Sequence, residues 1–313
     1  MSAAQEAELA EFATVVLNFD ACRYVSAAGL VILLYDHLLT LDEEIQYVWK
    51  APWTLPKGMF LANRYGVPLL TIINTWQLSG LANPSPTDTV CKVWIITALY
   101  AGVLSMANGG FIVLLRLWVL WNRRTSLVGW TLLVFVVTQL ATFSVTTWVA
   151  TGLVSRLEYS PLVNSCVLTK RLPLQGLWIP GVLFEIMVFS TTVYNAFDRP
   201  RDENRPMANQ LYRDGFVFFC CIFTLRLINM VLAITAPLSL IFLGIFFIWC
   251  ATNVTLSHLV LNVRRLAVER RSPEQDSVTT GYEPDTEVPD TPDDPNIISY
   301  ELNVGYEEYH ELR

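Results

Sequence analysis

Two charged residues stand midway along stretches that are otherwise apolar: Glu185 within Leu174 to Phe197, and Arg226 within Phe216 to Ala236. A charge at the centre of a bilayer costs roughly 3 kcal/mol on insertion scales, so each needs a partner or a task. Consecutive antiparallel helices bring both to one depth, where an ion pair offsets part of the cost of burial. Two roles are open to such a pair. The plainer one locks one helix to the next; the other contacts a ligand or ion at the midplane. No contact between the two residues is the remaining alternative. A second group, Asp36, Arg64 and Arg116, lies near the ends of three further apolar stretches, with His37 beside Asp36. Ion pairing that closes one end of a bundle is its expected role, ahead of proton transfer, because nothing else titratable continues the path. His258 reads as a packing or interfacial histidine, and three histidines in the chain assemble no metal cluster by spacing. No Gly-rich phosphate loop, nucleophile elbow or zinc-protease motif occurs, so the familiar enzyme classes lack support, and no cofactor or nucleic-acid partner is expected.

The elements that carry these residues follow from composition. Of 313 residues, 53% are hydrophobic and 16% charged, whereas ordinary globular chains carry about 25% charged residues. A water-facing surface cannot be built from that. The net charge of -7 misleads, because the segment from Ser272 to Arg313 holds twelve acids and one base, a local -11 that leaves +4 on the first 271 residues. A membrane helix needs about 20 mainly apolar residues, since its backbone groups must bond internally. Seven segments qualify: Tyr24 to Leu41, Phe60 to Leu81, Val90 to Trp121, Leu127 to Leu153, Leu174 to Phe197, Phe216 to Ala236 and Leu238 to Leu261. The last two are parted only by Pro237; fused, their roughly 45 residues would make a helix of about 68 Å, more than twice the hydrocarbon thickness. The expected fold is therefore an all-α membrane protein, a seven-helix bundle over residues 24–261, after a short extracytoplasmic segment, 1–23, and before a cytoplasmic segment, 262–313.

Orientation follows from Lys and Arg, which are retained on the cytoplasmic side. With the N-terminus outside, fourteen basic residues flank the inner helix ends and five the outer ones. The first twenty residues hold Glu6, Glu8, Glu11 and Asp20 and no base, so a cleavable signal peptide is not expected. In the first inner loop, Thr40 and Glu43 have the spacing of a capping box, and Ile45, Val48 and Trp49 follow at helical spacing. That loop is either a short interfacial helix or the last turn of the first span. Ala101, Ser105 and Gly109 recur every four residues and mark close helix packing; Pro68 and Pro180 interrupt two spans.

The run Tyr35-Asp36-His37-Leu38-Leu39-Thr40-Leu41-Asp42-Glu43-Glu44-Ile45, with Trp49-Lys50 and Asn63-Arg64-Tyr65 after it, resembles a family of multi-pass membrane proteins of basidiomycete fungi whose N-terminal region is known only as a domain of unknown function. The resemblance covers the first two spans and their loop. It implies a seven-helix group without an established activity and brings no catalytic residues.

Cys91, at the outer end of the third span, and Cys166, in the outer loop before the fifth, both face an oxidising compartment in this orientation. Their placement resembles the disulfide of heptahelical receptors, which ties the third helix to that loop. The resemblance implies a Cys91–Cys166 bridge; two free thiols are the plainer alternative, and Cys22 is a competing partner. The tail from Ser272, rich in Asp, Glu, Pro, Ser and Thr, is expected to stay unfolded. The arginines before it, among them Arg264 and Arg265, form a juxtamembrane basic cluster suited to anionic lipid. Membrane lipids are thus expected partners, with a cytoplasmic signalling partner at the inner loops and tail. Three functions compete on this sequence: a receptor-like or sensory protein, a transporter or channel with a polar midplane site, and a scaffold or lipid-modifying enzyme. Leu115-Arg116-Leu117 stands where the best-known receptors carry an acidic-Arg-Tyr triplet, so that likeness is architectural.

Overall fold

In a computed structural model of the chain, residues 3–81, 87–120, 125–170, 173–198, 206–240 and 242–279 are described. Seven long helices account for most of them: α1 (Ala3–Leu39), α3 (Leu55–Leu78), α4 (Asp88–Leu120), α5 (Thr125–Val154), α6 (Ile179–Asp198), α7 (Pro206–Thr235) and α8 (Ile245–Thr279). A four-residue helix, α2 (Leu41–Glu44), runs into a π-turn at Ile45–Trp49 between α1 and α3. Each long helix packs on its neighbour in sequence, and α8 returns to α1, so the seven close into a ring, with α8 also touching α3. Gly29 makes that closure possible: a Cβ there would stand 2.9 Å from the backbone of Phe247, so α1 and α8 meet where one side chain is missing.

Six of these helices are long and apolar enough to cross a membrane, which makes this an integral multi-pass membrane protein in composition and architecture. The helix outside that set is α3. Its length suffices, yet Lys57, Asn63, Arg64 and Asn74 dilute its apolar character, and all four are buried. Its polar face is turned into protein, which is how a helix of modest hydropathy is accommodated among apolar ones.

The structure departs from the expected segments at several points. The first helix begins at Ala3, so residues 3–23 are helical and run without a break into the expected first span; no Gly or Pro interrupts them. Thr40 makes no side-chain cap. Its hydroxyl donates to the Asp36 carbonyl at 2.7 Å, one turn back, so the capping box is not formed. Pro180 falls in the first turn of α6, where a missing N–H costs nothing, and produces no interruption. The α8 backbone passes Ser272 and stays helical to Thr279. The rest of the acidic tail lies outside the described residues, as do Arg123, Arg124, Arg199, Arg201 and Arg205 of the loops expected on the inner side.

A two-stranded antiparallel hairpin, β1 (Leu157–Ser160) and β2 (Ser165–Leu168), follows α5, with Asn164 in the left-handed region at its turn. Cys166 on β2 is bonded to Cys91 on α4. Asp88, at the start of α4, accepts from the Tyr159 amide at 2.7 Å. Arg23 joins α1 to the same corner: its Nε donates to the Leu78 carbonyl at 3.0 Å and its Nη2 to the Val163 carbonyl. Gly80, at a φ of +76°, leaves room for that guanidinium. Closing the 75 residues between the two cysteines stabilises the fold by about 4 kcal/mol in a chain-entropy account.

Candidate functional site

Two buried polar regions stand out, one at the end of the bundle that carries the α1–α3 loop and one in its middle. The first centres on Arg64, which α3 delivers at 1% exposure. Its Nε donates to Glu44 Oε2 at 3.0 Å. One Nη2 hydrogen goes to the His37 carbonyl at 3.2 Å and the other to the Thr40 hydroxyl, while Nη1 faces Asp36 Oδ2 at 3.6 Å. Glu44 is fully buried, and its second oxygen accepts from the Tyr65 hydroxyl at 2.7 Å and the Trp49 indole at 3.0 Å. Asp36 Oδ1 lies 2.7 Å from His258 Nε2, which brings in α8. One arginine thus holds α1, α2 and α3 together, and one aspartate adds α8. A buried carboxylate with three donors and a buried guanidinium set between two carboxylates is an arrangement in which burial of charge is tolerated.

Below this cluster, Lys57 and Arg264 are buried as well, at 2% and 3% exposure. Lys57 Nζ donates to the carbonyls of Trp49 at 3.1 Å and Ala51 at 2.6 Å, and stands 4.7 Å from the Trp53 ring centre. Arg264 donates to the Tyr47 carbonyl at 3.3 Å. The carbonyls that a π-turn and its exit leave free are therefore capped by cations. Burial, helped by the nearby charge of Arg264, holds the Lys57 ammonium below the usual lysine range.

The second region is a cavity of about 510 Å³ bounded by α4, α5, α6, α7 and α8. Its walls are mainly aliphatic and aromatic, as ligand pockets are. Leu168 and Leu174 line it beside the disulfide-anchored hairpin, and Leu117 and Phe218 line it at the other end. Glu185 and Arg226 stand in the wall as an ion pair, and Arg226 Nη2 also touches the Met106 sulfur at 3.9 Å. Gly181 leaves room for the Arg226 guanidinium, which would have to shift if that position carried a Cβ. Several buried polar atoms of the wall have no partner in the protein: Glu185 Oε2, Asn229 Nδ2 and Asn253 Oδ1. Asn63, Ser105 and Trp249 form a third polar group in the wall, with Ser105 donating to Asn63 at 2.9 Å and Trp249 donating to Ser105 at 3.0 Å. Asn253 donates to the Asn63 carbonyl at 3.1 Å.

Of the residues singled out by sequence, Glu185 and Arg226 meet, Cys91 and Cys166 are joined, and Asp36 and Arg64 face one another. Arg116 lies on α4 as part of the cavity lining. Glu44 and His258 were not assigned to the cluster by sequence. Glu44 belongs to the run Asp42-Glu43-Glu44, in which nothing distinguishes one acid from the next; only the turn at 41–49 rotates its third member inward. His258 lies 222 residues from Asp36, beyond any local signal. Asn229 and Asn253 left one usable trace, an amide inside an apolar span. Among the described residues no group of His, Cys, Asp and Glu is arranged to hold a metal.

Residues 24–69 match a family model described as a family of unknown function (DUF6533), a stretch that contains every member of the Arg64 cluster except His258, together with Asn63. No curated protein and no solved structure matches the chain.

Proposed function

We propose that the chain is a seven-span, receptor-like membrane protein, with its N-terminus outside the cytoplasm, that takes a small apolar ligand in the cavity and reports its presence at the inner end of the bundle. One observation carries this reading. Asn63 and Arg64 are neighbours in sequence on α3, yet Asn63 belongs to the cavity wall and Arg64 to the ionic cluster. An occupant that disturbs the Asn63, Ser105 and Trp249 contacts acts on the same turn of helix that holds Glu44 and Asp36. The inner loop and α8 are tied to that turn, so a cytoplasmic partner bound there senses the change. Anionic lipid beside the juxtamembrane arginines is a second partner.

The length of the cavity favours a rival, a transporter that uses the Glu185–Arg226 pair as its polar midplane site. Against it, the hairpin pinned through Cys166 contributes Leu168 to one end of the cavity, a covalently fixed wall rather than a moving gate, and the helices pair in simple sequence order rather than as matched broken repeats. The test has two arms. Full-length protein is tagged at each end and probed from either side of sealed membranes; termini in one compartment overturn the seven-span scheme. The same protein in vesicles is then assayed for solute flux and for cytoplasmic proteins that co-purify with it when membrane-derived apolar extract is added. Extract-dependent association supports the receptor-like reading, and flux without it supports the rival.

A further inference from the structure

The polar atoms left open in the cavity wall define what the occupant carries. Glu185, Asn229 and Asn253 are buried to 7%, 3% and 3% exposure, and each presents one unpartnered atom: a carboxylate oxygen, an amide nitrogen and an amide oxygen. Buried polar groups without partners cost free energy, and in native proteins they mark a missing hydrogen-bond partner. Asn229 follows Arg226 by three residues and so shares its face of α7. The Glu185–Arg226 pair therefore offers one acceptor, and Asn229 offers one donor a turn away. A hydroxyl, which donates once and accepts at its lone pairs, is the smallest neutral organic group that answers both.

Charge narrows the class further. Glu185 and Arg226 neutralise one another. An ammonium group placed against them meets the guanidinium, and a carboxylate meets Glu185, in surroundings where like charges are poorly screened. The occupant is neutral. Shape narrows it again: on α4 alone the lining runs from Ile95 to Leu117, about 33 Å at ~1.5 Å per residue. Met106, which touches Arg226, falls midway along that run. Apolar wall extends to both sides of the polar spot, with Leu153 and Leu168 towards the hairpin and Leu117 and Leu259 towards the other end.

From these observations we infer that the cavity binds a neutral, largely hydrocarbon alcohol whose hydroxyl is flanked by apolar carbon on both sides, held by Glu185 Oε2 and Asn229 Nδ2. The inference rests on the ligand-binding reading above and supplies the ligand's chemistry. No bond is made or broken.

The probes are hexadecan-8-ol, hexadecan-8-one, hexadecan-8-amine, hexadecane-8-carboxylic acid and hexadecane, each titrated into full-length protein in nanodiscs of one synthetic phospholipid. Native mass spectrometry of the released protein counts bound molecules. Hexadecan-8-ol binds once per chain and about tenfold more tightly than the alkane or either charged analogue, the scale of one or two hydrogen bonds. Asn229→Leu, which keeps bulk and removes the donor, abolishes that preference while hexadecane binding stays level. Glu185→Gln serves as the second variant and weakens the alcohol in the same direction. Equal binding of alcohol and alkane, or preference for a charged analogue, overturns the alcohol assignment and leaves a ligand cavity standing. Failure of every probe to bind removes the ligand-binding reading itself. Protein taken from its own membranes with an alcohol of this kind already bound points to a lipid source; protein that purifies empty and fills on addition points to a ligand arriving from outside.

Discussion

The cluster around Arg64 and the pair in the cavity wall both bury opposite charges inside a helical bundle, but they differ in how completely they are partnered. Glu44 accepts from an arginine, a tyrosine and an indole, and the atoms left over on Arg64 and Asp36 face each other at 3.6 Å. Glu185 meets one guanidinium and has a second oxygen with nothing to bond. The first region also leaves Asp36 Oδ2, Arg64 Nη1 and His37 Nδ1 without a hydrogen bond, but it sets the first two against each other as opposite charges between packed elements; the open atoms of the second region border empty space. Room beside the open atoms, more than the presence of a buried charge, separates a clamp from a site, because a ligand reaches only atoms that border a cavity.

The largest effect expected from this contrast is at Glu44. Glu44→Gln leaves Arg64 buried opposite a neutral amide and lowers stability by about 3–5 kcal/mol, read as a fall in the thermal midpoint and in the yield of monodisperse protein. Pairing it with Arg64→Met recovers part of the loss. If Glu44→Gln proves milder than Glu185→Gln, the ranking of the two regions is reversed. Next in size is the cavity pair, for which Glu185→Gln, Arg226→Gln and the double variant form a cycle. Pairing predicts that the double variant loses less than the sum of the singles by about 1–2 kcal/mol, and additive losses would remove the pairing. A smaller change, about 1 kcal/mol, is expected from Tyr65→Phe, which deletes one of three donors to Glu44. The smallest belongs to Asn229→Leu in empty protein, within about 0.5 kcal/mol, since the amide nitrogen it removes has no partner to lose. A drop above about 1.5 kcal/mol there would mean that the resting protein already satisfies Asn229.

Much of this architecture is legible in the chain because hydropathy is a long-range average that short errors do not spoil. Pro237 stands where α7 gives way to α8, and Glu185 and Arg226 share a depth because consecutive antiparallel helices must. What depends on rotation about a helix axis is not legible in the same way. Glu44 and Glu43 are adjacent and chemically alike, yet Glu44 is buried against Arg64 while Glu43 stays half-open, 4.0 Å from Arg265. The short hairpin at 157–168 was hidden for another reason: four-residue strands carry too little periodicity to announce themselves. Asn63 and Arg64 are adjacent in one sequence run, but only the three-dimensional arrangement divides them between two regions.

Lys57, Arg64 and Arg264 all count among the basic residues that argue for which way the polypeptide enters the bilayer, yet none of them ends up facing lipid headgroups. Insertion reads a nascent thread, on which every such side chain is still wet and available to steer; maturation then retires these three to the interior, where they clasp carbonyls and a carboxylate. The electrostatic skin at that end of the bundle is accordingly thinner than a tally along the thread suggests, and the duty of steering and the duty of fastening fall on the same atoms at different times.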